Sequence, residues 1–270
     1  MIVDFDKVSS AMEEVASAII LPRFQKLSAQ EIEEKSKDDF VTIADREAEE
    51  ALTPILKTLA PGSIVIGEEA TAENPALLDK AKGEGSMWFI DPIDGTSQFI
   101  DGKSNFATMI AFAEEGEVRQ SAIYFPVSGE LFLAELNSGA TLREDKGVHR
   151  LRVSTRKKCL SEARTSFHTR HYPESWKGKL NQLRDNVSEI VNGFPSACQY
   201  TDLARGELDL VIYHRMLPWD HAPGSLILHE AGGLARNLET ELDYRPSVLH
   251  GPHLLSVSED LWQAAKKEIS

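Results

Sequence analysis

Cysteine is scarce in this chain of 270 residues, which contains two, Cys159 and Cys198. They are far apart in sequence, and neither a CxxC pair nor a cluster of cysteine and histidine occurs, so a structural zinc site is not expected. Two isolated cysteines in a chain of this length are typical of a reducing compartment, where thiols stay free.

Long hydrophobic runs are also absent. No stretch of about 18 consecutive apolar residues occurs, which argues against a membrane-spanning helix. The first residues lack both a basic start and a clean apolar run, so a signal peptide is not expected. Apolar residues recur instead at Phe5, Val8, Met12, Val15 and Ile19, which predicts an amphipathic helix. We therefore expect a cytoplasmic protein that does not bind membranes.

Positive charge is in short supply. Lysine and arginine total 29 against 43 aspartates and glutamates, which gives a net charge of −14. This balance opposes non-specific binding to nucleic acid, which needs a basic surface, so no nucleic-acid partner is expected. Surplus carboxylate suits divalent cations, although most of these acids are expected to do no more than keep the surface soluble.

The order of predicted elements divides the chain near residue 150. Residues 1–150 begin with helices and continue with strand-like runs separated by turns, which indicates an α+β arrangement. In residues 151–270 predicted strands alternate with helices, which indicates an α/β arrangement. Residues 31–39, EIEEKSKDD, are expected to form a solvated charged stretch. No flexible linker marks the boundary, so we expect one compact unit.

The stretch WFIDPIDGT, residues 88–96, places two carboxylates at the end of an apolar run. The apolar residues occupy positions of both parities, which predicts a central strand covered on both faces. Pro92 favours an extended Asp91, and Gly95 permits a tight turn from which Thr96 can begin a helix. The amino end of a helix attracts phosphate. Since Asp91 and Asp94 would repel each other without a cation, we predict a site for a metal and a phosphoryl group.

One position argues against a different phosphatase chemistry. Phosphatases of the haloacid dehalogenase type carry D-x-D-G-T, in which the first aspartate attacks phosphate. Here the residue two before Asp94 is Pro92, and the nearest aspartate is three before it. The geometry for a covalent aspartyl nucleophile is therefore missing.

Three further acidic residues follow motifs that are weak when taken singly. Glu68 comes after the strand-like SIVIG and could lie in an exposed loop. Asp220, in LPWDHAPG, could be a helix N-cap. Asp45 stands three residues after Thr42, which is the spacing of a capping box before a helix.

Taken together, these motifs resemble the inositol monophosphatase family of magnesium-dependent, lithium-sensitive phosphatases. The similarity extends over nearly the whole chain, and D-P-I-D-G-T with W-D-x-A-x-G is its most specific part. The matching segments are DFVTIAD (39–45), IGEE (66–69), WFIDPIDGT (88–96), AIYFPVSGELFLAE (122–135), SGA (138–140) and PWDHAPG to EAGG (218–233). The resemblance implies the layered αβαβα sandwich that this family shares with fructose-1,6-bisphosphatase, and a homodimer.

The resemblance also implies a role for each motif residue. Glu68, Asp91 and the carbonyl of Ile93 would hold a first Mg²⁺, and Asp91, Asp94 and Asp220 a second, with a looser third ion near Glu68. Gly95 and Thr96 would donate backbone N–H groups to the phosphate. Thr96, helped by Asp45 or Glu68, would orient the attacking water. All of these donors are hard oxygens, which suits Mg²⁺.

The expected substrate wall departs from the family pattern. Members that act on inositol phosphate usually carry a glutamate seven residues before the motif aspartate, where this chain has Tyr213, followed by His214 and Arg215. Tyr213 and His214 are expected to line the substrate site, and this change favours a substrate with a second anionic group or an aromatic ring. Tyr213 could equally be a packing residue at the end of a strand.

The function expected from the resemblance is Mg²⁺-dependent hydrolysis of a small phosphate monoester, similar to inositol 1-phosphate, by metal-activated water and without a phosphoenzyme. Alternatives on the same scaffold are a 3′(2′),5′-bisphosphate nucleotidase, a histidinol-phosphatase and a fructose-1,6-bisphosphatase. An alternative from another class is a regulatory protein that binds transcription machinery. It is less favoured, because a pure binding protein does not need the full set of metal-site carboxylates.

Overall fold

Two large β-sheets organise the computed structural model, which describes residues 3–37, 39–153, 159–169, 171–191 and 193–269. In chain order the strands are β1 (Ile32–Ser36), β2 (Asp39–Thr42), β3 (Ile64–Gly67), β4 (Ser86–Asp94), β5 (Ala107–Glu114), β6 (Glu117–Phe125), β7 (Glu130–Glu135), β8 (Gly139–Glu144), β9 (Gly147–Arg150), β10 (Arg164–Phe167), β11 (Glu189–Ile190), β12 (Leu210–Arg215), β13 (Leu234–Asn237) and β14 (His250–Ser256).

Helices fill the segments between many of these strands. In chain order they are α1 (Phe5–Val15), α2 (Ile43–Leu59), α3 (Glu68–Glu73), α4 (Ala76–Asp79), α5 (Thr96–Ile100), α6 (Lys177–Asp185), α7 (Ser196–Arg205), α8 (Pro218–Glu230) and α9 (Glu259–Glu268). A π-helical turn, Ala16–Ile20, continues α1. No helix in the described part of the chain combines the length and the apolar character needed to cross a membrane.

Both large sheets are mixed. Over the described residues, the larger sheet has the strand order β3-β4-β5-β6-β7-β8-β9 and the smaller one β11-β10-β12-β14-β13. In the larger sheet only β3 and β4 are parallel. In the smaller sheet β10 runs parallel to β11 and β12, whereas β14 is antiparallel to β12 and β13.

Helices and sheets alternate as the five layers of the predicted αβαβα sandwich. The outer face of the larger sheet is covered by α1 and α2, and its inner face packs against α8. Helix α7 packs beside α8, and its Gln199 donates a hydrogen bond to Ser166 of β10 in the smaller sheet. The far side of the smaller sheet is covered by α9, which contacts α6. The division proposed near residue 150 lies between β9 and β10 and stays a prediction.

Strand β4 is buried along almost its whole length, as its apolar sequence predicts. Trp88 and Ile90 belong to the hydrophobic core shared with α1 and α2, whereas Met87 and Phe89 belong to the core shared with α8. Alternate residues of a strand point to opposite faces. Asp91 therefore continues the row that faces α8.

Most described side chains of the charged stretch at residues 31–39 are exposed, as expected, but the stretch includes a strand that was not predicted. Ile32–Ser36 pairs antiparallel with Asp39–Thr42 and forms a short hairpin. Lys35 is an exception, because it turns inward and its side chain is only 16% exposed. Charged side chains hide the alternation of this strand in the sequence. The hairpin brings Lys35 to the acidic residues described next.

Candidate active site

A cavity of about 460 Å³ lies where the carboxyl end of β4 meets the start of α8. The four carboxylates predicted to bind metal all line it: Glu68, Asp91, Asp94 and Asp220. They come from three distant parts of the chain. The fold thus brings them to one place, which the sequence-based prediction requires.

A bulge in β4 turns both aspartates of the D-P-I-D motif toward the cavity. Asp91 is opposite Met109 of β5 while Asp94 is opposite Ala107, so β4 has one extra residue between them. An extra residue reverses the alternation of a strand. Ile93 accordingly packs into the outer core, while Asp94 faces the cavity like Asp91.

Three of the carboxylates form a tight group. Glu68, Asp91 and Asp220 each offer an oxygen, and these oxygens all lie within 4.8 Å of one another. Asp94 lies on the wall of the same cavity, outside this group. The Oδ1 atom of Asp91 is buried and has no hydrogen-bond partner among the described residues. A buried carboxylate oxygen without a donor, beside two other carboxylates, is suited to a cation.

Burial and mutual repulsion make the charged forms of these acids unfavourable. Burial, followed by the charge of Glu68, raises the pKa of Asp91 and of Asp220 well above their ordinary value. Burial raises the pKa of Asp94 to about 7, although the N–H of Ala197 acts in the opposite direction. A divalent cation would remove this repulsion. Because the donors are oxygens of carboxylates, the residues present fit Mg²⁺.

Helix α7 holds Asp94 in place. The backbone N–H of Ala197, in the first turn of α7, donates to Asp94 Oδ2 at 2.6 Å. Free N–H groups and the positive end of the helix dipole both stabilise a carboxylate there. The turn after Asp94 needs Gly95, because φ is +93° and a Cβ would lie 2.5 Å from Cγ of Pro195. A glycine thus permits the contact between the two segments.

Asp45 and Thr96 form a hydrogen-bonded pair at the edge of the cavity. Asp45 is the N3 residue of the capping box that begins α2, as predicted, and its Oδ2 accepts from Thr42 N at 2.8 Å. Its Oδ1 lies 3.1 Å from the Thr96 hydroxyl, which is also 3.1 Å from the Ile93 carbonyl oxygen. Burial raises the pKa of Asp45 to about 6. The helix cap therefore positions Thr96.

Two charged residues near the cavity were not predicted. Lys35 Nζ lies 2.9 Å from Glu68 Oε1 and 3.1 Å from Glu69 Oε1. Glu49 accepts the backbone N–H groups of Glu69 and Ala70, both at 2.9 Å, at the start of α3. Glu49 occupies a core-facing position on α2, four residues after Asp45, and a charged residue there is a usable signal. No sequence pattern links Lys35 to Glu68.

Asp220 lies in the first turn of α8, although it is not the N-cap. Leu217 is the N-cap and Pro218 begins the helix, so the alternative that Asp220 merely caps the helix does not hold. A cap would have used its carboxylate on the helix, whereas here Asp220 faces the cavity. His221 is buried, with Nδ1 3.1 Å from the Tyr200 hydroxyl and Nε2 3.0 Å from the Arg215 carbonyl.

The predicted substrate wall is built on packed rings. Tyr213 is buried between His168 and His221, with ring centroids 4.5 and 4.6 Å away, and its hydroxyl donates to Gln199 Oε1 at 2.6 Å. Tyr213 and His214 both line the cavity. His168 packs against Tyr213 instead of extending into solvent, and burial lowers its pKa to about 4. Tyr213 thus packs in the interior and also lines the cavity.

A family model settles which proteins this chain is related to. The model described as "Inositol monophosphatase family" matches residues 3–269. The chain belongs to the inositol monophosphatase family. The resemblance seen in the sequence motifs is thereby confirmed. Family membership, together with the names of the relatives below, indicates a phosphatase that acts on phosphoric monoesters.

Relatives within the family carry different names. The inositol-1-monophosphatase of Bacillus subtilis is 31% identical over 214 residues, which cover 78% of this chain and 77% of that protein. The histidinol-phosphatase of Chlorobaculum parvum is 32% identical over 255 residues, covering 92% and 89%. The Nus factor SuhB of Vibrio cholerae is 30% identical over 217 residues, covering 79% and 78%.

Solved structures of other proteins share the fold. The extragenic suppressor protein SuhB from Bartonella henselae superposes with a TM-score of 0.80 at 24% identity, covering 98% of each chain. Inositol monophosphatase II from Staphylococcus aureus gives a TM-score of 0.78 at 20% identity, covering 98% of this chain and 92% of that one. At these identities the similarity establishes the fold alone.

Proposed function

We propose that this protein hydrolyses small phosphate monoesters with Mg²⁺ as its metal. The observation that supports this most directly is the convergence of Glu68, Asp91 and Asp220 within 4.8 Å of one another, in a cavity that also contains Asp94 and Thr96. Family membership supports the reaction class, and the chemistry of the donors supports the metal.

The residues take the following parts in this proposal. Two Mg²⁺ ions, or three if a looser one is added, would be held by four carboxylates and the Ile93 carbonyl. The carboxylates are those of Glu68, Asp91, Asp94 and Asp220. Bound Mg²⁺ supplies positive charge for the phosphoryl group and makes water a stronger nucleophile. The N–H groups of Gly95 and Thr96 would hold phosphate oxygens. The hydroxyl of Thr96, kept in place by Asp45, would orient the attacking water.

The identity of the ester is a separate proposal. The nearest starting hypothesis is an ester similar to inositol 1-phosphate, supported by relatives named inositol-1-monophosphatase. A histidinol phosphate substrate is supported by the Chlorobaculum parvum relative, which aligns over 92% of this chain. One solved inositol monophosphatase with this fold has 2′AMP bound, which keeps a 3′(2′),5′-bisphosphate nucleotide among the candidate substrates, together with fructose 1,6-bisphosphate.

Relatives named Nus factor SuhB support a second candidate, a regulatory protein. The complete carboxylate group favours the enzyme, because a binding surface does not need buried acids without a counter-ion. A stable macromolecular partner together with no turnover of any ester would favour the regulator. The homodimer and the cytoplasmic location stay predictions, and sedimentation equilibrium tests the former.

A panel of phosphate esters tests the enzyme. With Mg²⁺ we expect phosphate release from at least one of inositol 1-phosphate, histidinol phosphate, adenosine 3′,5′-bisphosphate and fructose 1,6-bisphosphate. Asp91→Asn and Asp220→Asn should abolish turnover while circular dichroism stays native. Asp101→Asn, at a carboxylate that is 55% exposed, is the matched control. Near-native turnover in either cavity variant would disprove the proposed metal site.

Acid quenching during turnover tests the nature of the nucleophile. If water attacks, substrate labelled at phosphorus should leave no label on the precipitated protein. Protein-bound phosphate at burst amplitude would instead require a side-chain nucleophile and would overturn this part of the proposal.

A further inference from the structure

The two halves of the chain contribute opposite charge to the cavity. Residues before 100 contribute three of its carboxylates, from Glu68, Asp91 and Asp94. Of the described lining residues after 160, only Asp220 is acidic, whereas four histidines and Arg215 also come from this half. Arg215 is the one lysine or arginine in the described lining. The cavity thus has an acidic group of residues and a wall that bears a cation.

This wall lies where the pairing of β12 with β14 becomes irregular, because β14 has one extra residue there. Tyr213 pairs with His253 and Arg215 pairs with His250, so the register shifts between them. In a regular strand only every second residue would face the cavity. Tyr213, His214 and Arg215 nevertheless all line it, at the end of β12 where the pairing with β14 is irregular. Such irregularities redirect side chains and are common beside active sites.

The guanidinium of Arg215 has no carboxylate partner within ion-pair distance in the described part of the chain, although many other arginines have one. Arg215 is exposed to solvent, so the charge of its guanidinium is available to a ligand. The Arg215 carbonyl lies 3.0 Å from His221 Nε2, which fixes the backbone from which the side chain extends. An anchored arginine without a partner at the mouth of a cavity can receive an anion.

The neighbouring rings limit what lies beside that anion. His168 stacks on Tyr213, and His214 packs against Tyr172 with ring centroids 4.9 Å apart. Burial lowers the pKa of both histidines, which disfavours their charged forms. Beside these two imidazoles, which offer hydrogen bonds and flat surface, Arg215 supplies a positive charge.

We propose that Arg215 and His214 form a subsite for a second anionic group on the substrate, a carboxylate or a phosphate separate from the phosphoryl group that is hydrolysed. This inference rests on the proposed phosphatase function and narrows it to esters whose organic part is anionic. Two positively charged poles, a metal and an arginine, would bind the two ends of such a molecule. A neutral polyol phosphate would leave the arginine without a partner.

Arg215 has a competing role that the test must separate. Burial and repulsion by Glu68 and Asp94 raise the pKa of Asp220, and the charge of Arg215 acts against them, so the guanidinium acts on the acidic group as well. If Arg215 contacted the hydrolysed phosphoryl group itself, its loss would slow every ester to the same extent. A subsite for a second anion predicts a selective loss.

Matched pairs of esters provide the test. One pair is 4-carboxyphenyl phosphate and its neutral amide, 4-carbamoylphenyl phosphate, which have nearly the same shape. The other is adenosine 3′,5′-bisphosphate and adenosine 3′-monophosphate, so that carboxylate and phosphate are distinguished as the second anion. For wild type we expect kcat/KM to favour the anionic member of at least one pair by roughly tenfold or more, the range of a charged hydrogen bond.

Substitutions then assign the preference to Arg215. Arg215→Gln should reduce the ratio of kcat/KM within that pair to about one, and Arg215→Lys should restore part of it. Arg245→Gln, which changes net charge equally on an arginine outside the cavity lining, should leave the ratio at its wild-type value. No preference in wild type, or an equal loss on both members in Arg215→Gln, would overturn the proposal.

Binding measurements test this inference independently of the proposed function. The phosphonate analogues of the aryl pair cannot be hydrolysed, and calorimetry with Mg²⁺ measures their affinities directly. A preference for the carboxylate analogue that disappears in Arg215→Gln would support the subsite even without turnover of any ester, in which case the proposed function alone would fail. If wild type bound both analogues equally and did not prefer adenosine 3′,5′-bisphosphate over the monophosphate, the subsite would be rejected. The proposed phosphatase activity would not be affected by this result.

Discussion

Asp91 is the residue on which the charge balance of the cavity depends most. It is 2% exposed, one of its oxygens has no hydrogen-bond partner among the described residues, and Glu68 and Asp220 lie beside it. In the absence of a cation these contacts destabilise the folded protein. The residue therefore trades stability of the metal-free protein for the ability to hold a metal, as functional sites often do.

Replacement of Asp91 by asparagine should separate these two effects. In EDTA we expect Asp91→Asn to unfold at a higher temperature than wild type, with a gain of about 1–3 kcal/mol, because the cost of burying an acid among other acids disappears and the amide can donate to Asp220. The stabilisation that Mg²⁺ gives wild type should be lost. Scanning calorimetry with and without Mg²⁺ measures both changes.

Asp101→Asn serves again as the control, since its exposed carboxylate should change neither quantity by more than about 0.5 kcal/mol. A metal-free Asp91→Asn protein that melts below wild type would show that Asp91 is stabilised by its neighbours. The view of the cavity as a repulsive group awaiting a cation would then be wrong.

At the scale of elements, the β1–β2 hairpin supplies a cation to the acidic group. Lys35 extends from β1 to Glu68 and Glu69, and the three side chains are 16%, 24% and 8% exposed. Burial raises the pKa of Glu69 to about 8, and the charge of Glu68 adds to this, while Lys35 opposes both. The ammonium therefore offsets part of the repulsion near α3.

Removal of this ammonium should destabilise the metal-free protein. We expect Lys35→Gln to lower the free energy of unfolding in EDTA by about 1–3 kcal/mol, because a largely buried pair loses its cation. Lys82→Gln breaks an exposed pair with Asp79, at 54% and 77% exposure, and should cost less than about 1 kcal/mol. Urea denaturation of both variants measures the difference, and equal losses would show that burial of Lys35 adds nothing.

Elements with a strong local pattern could be predicted, and those that depend on distant partners could not. The run MWFI predicts a buried strand because apolar residues occupy both parities, and Thr42 with Asp45 predicts a helix cap within one turn. The bulge that turns Asp94 into the cavity needs the register against β5, which the motif does not encode. The hairpin at residues 32–42 was missed because charged residues occupy both faces of β1.

The same distinction holds for the candidate site. Asp91 and Asp94 were found from a local motif, whereas Glu68 and Asp220 were persuasive only through the family resemblance. Whether Tyr213 packs or lines the cavity could not be decided from sequence, because its hydrogen bond to Gln199 joins two elements. Arg215 follows Tyr213 in the sequence, but its lack of a partner is a property of the folded chain.

At the scale of the whole molecule, the interior holds histidines that must stay neutral for the fold to persist. His253 of β14 is 1% exposed, its Nδ1 lies 3.1 Å from the Gly251 carbonyl oxygen, and it packs against Tyr244. Burial lowers its pKa from 6.5 to about 4. His253 does not line the cavity, so its effect on stability is separable from the effects of metal binding.

His253 should make the protein less stable as the pH falls. The unfolded chain binds a proton at this imidazole near pH 6.5, whereas the folded chain does so only near pH 4, so its contribution is present above about pH 7 and lost between these values. From pH 7 to pH 5 this loss is about 2 kcal/mol. His253→Asn keeps a donor for Gly251 but does not titrate. Its unfolding free energy, measured by urea denaturation in EDTA, should therefore fall by about 2 kcal/mol less than that of wild type over this interval. Between pH 7 and pH 8 the two proteins should run parallel, and parallel curves down to pH 5 would show that His253 is accessible to protons in the folded state.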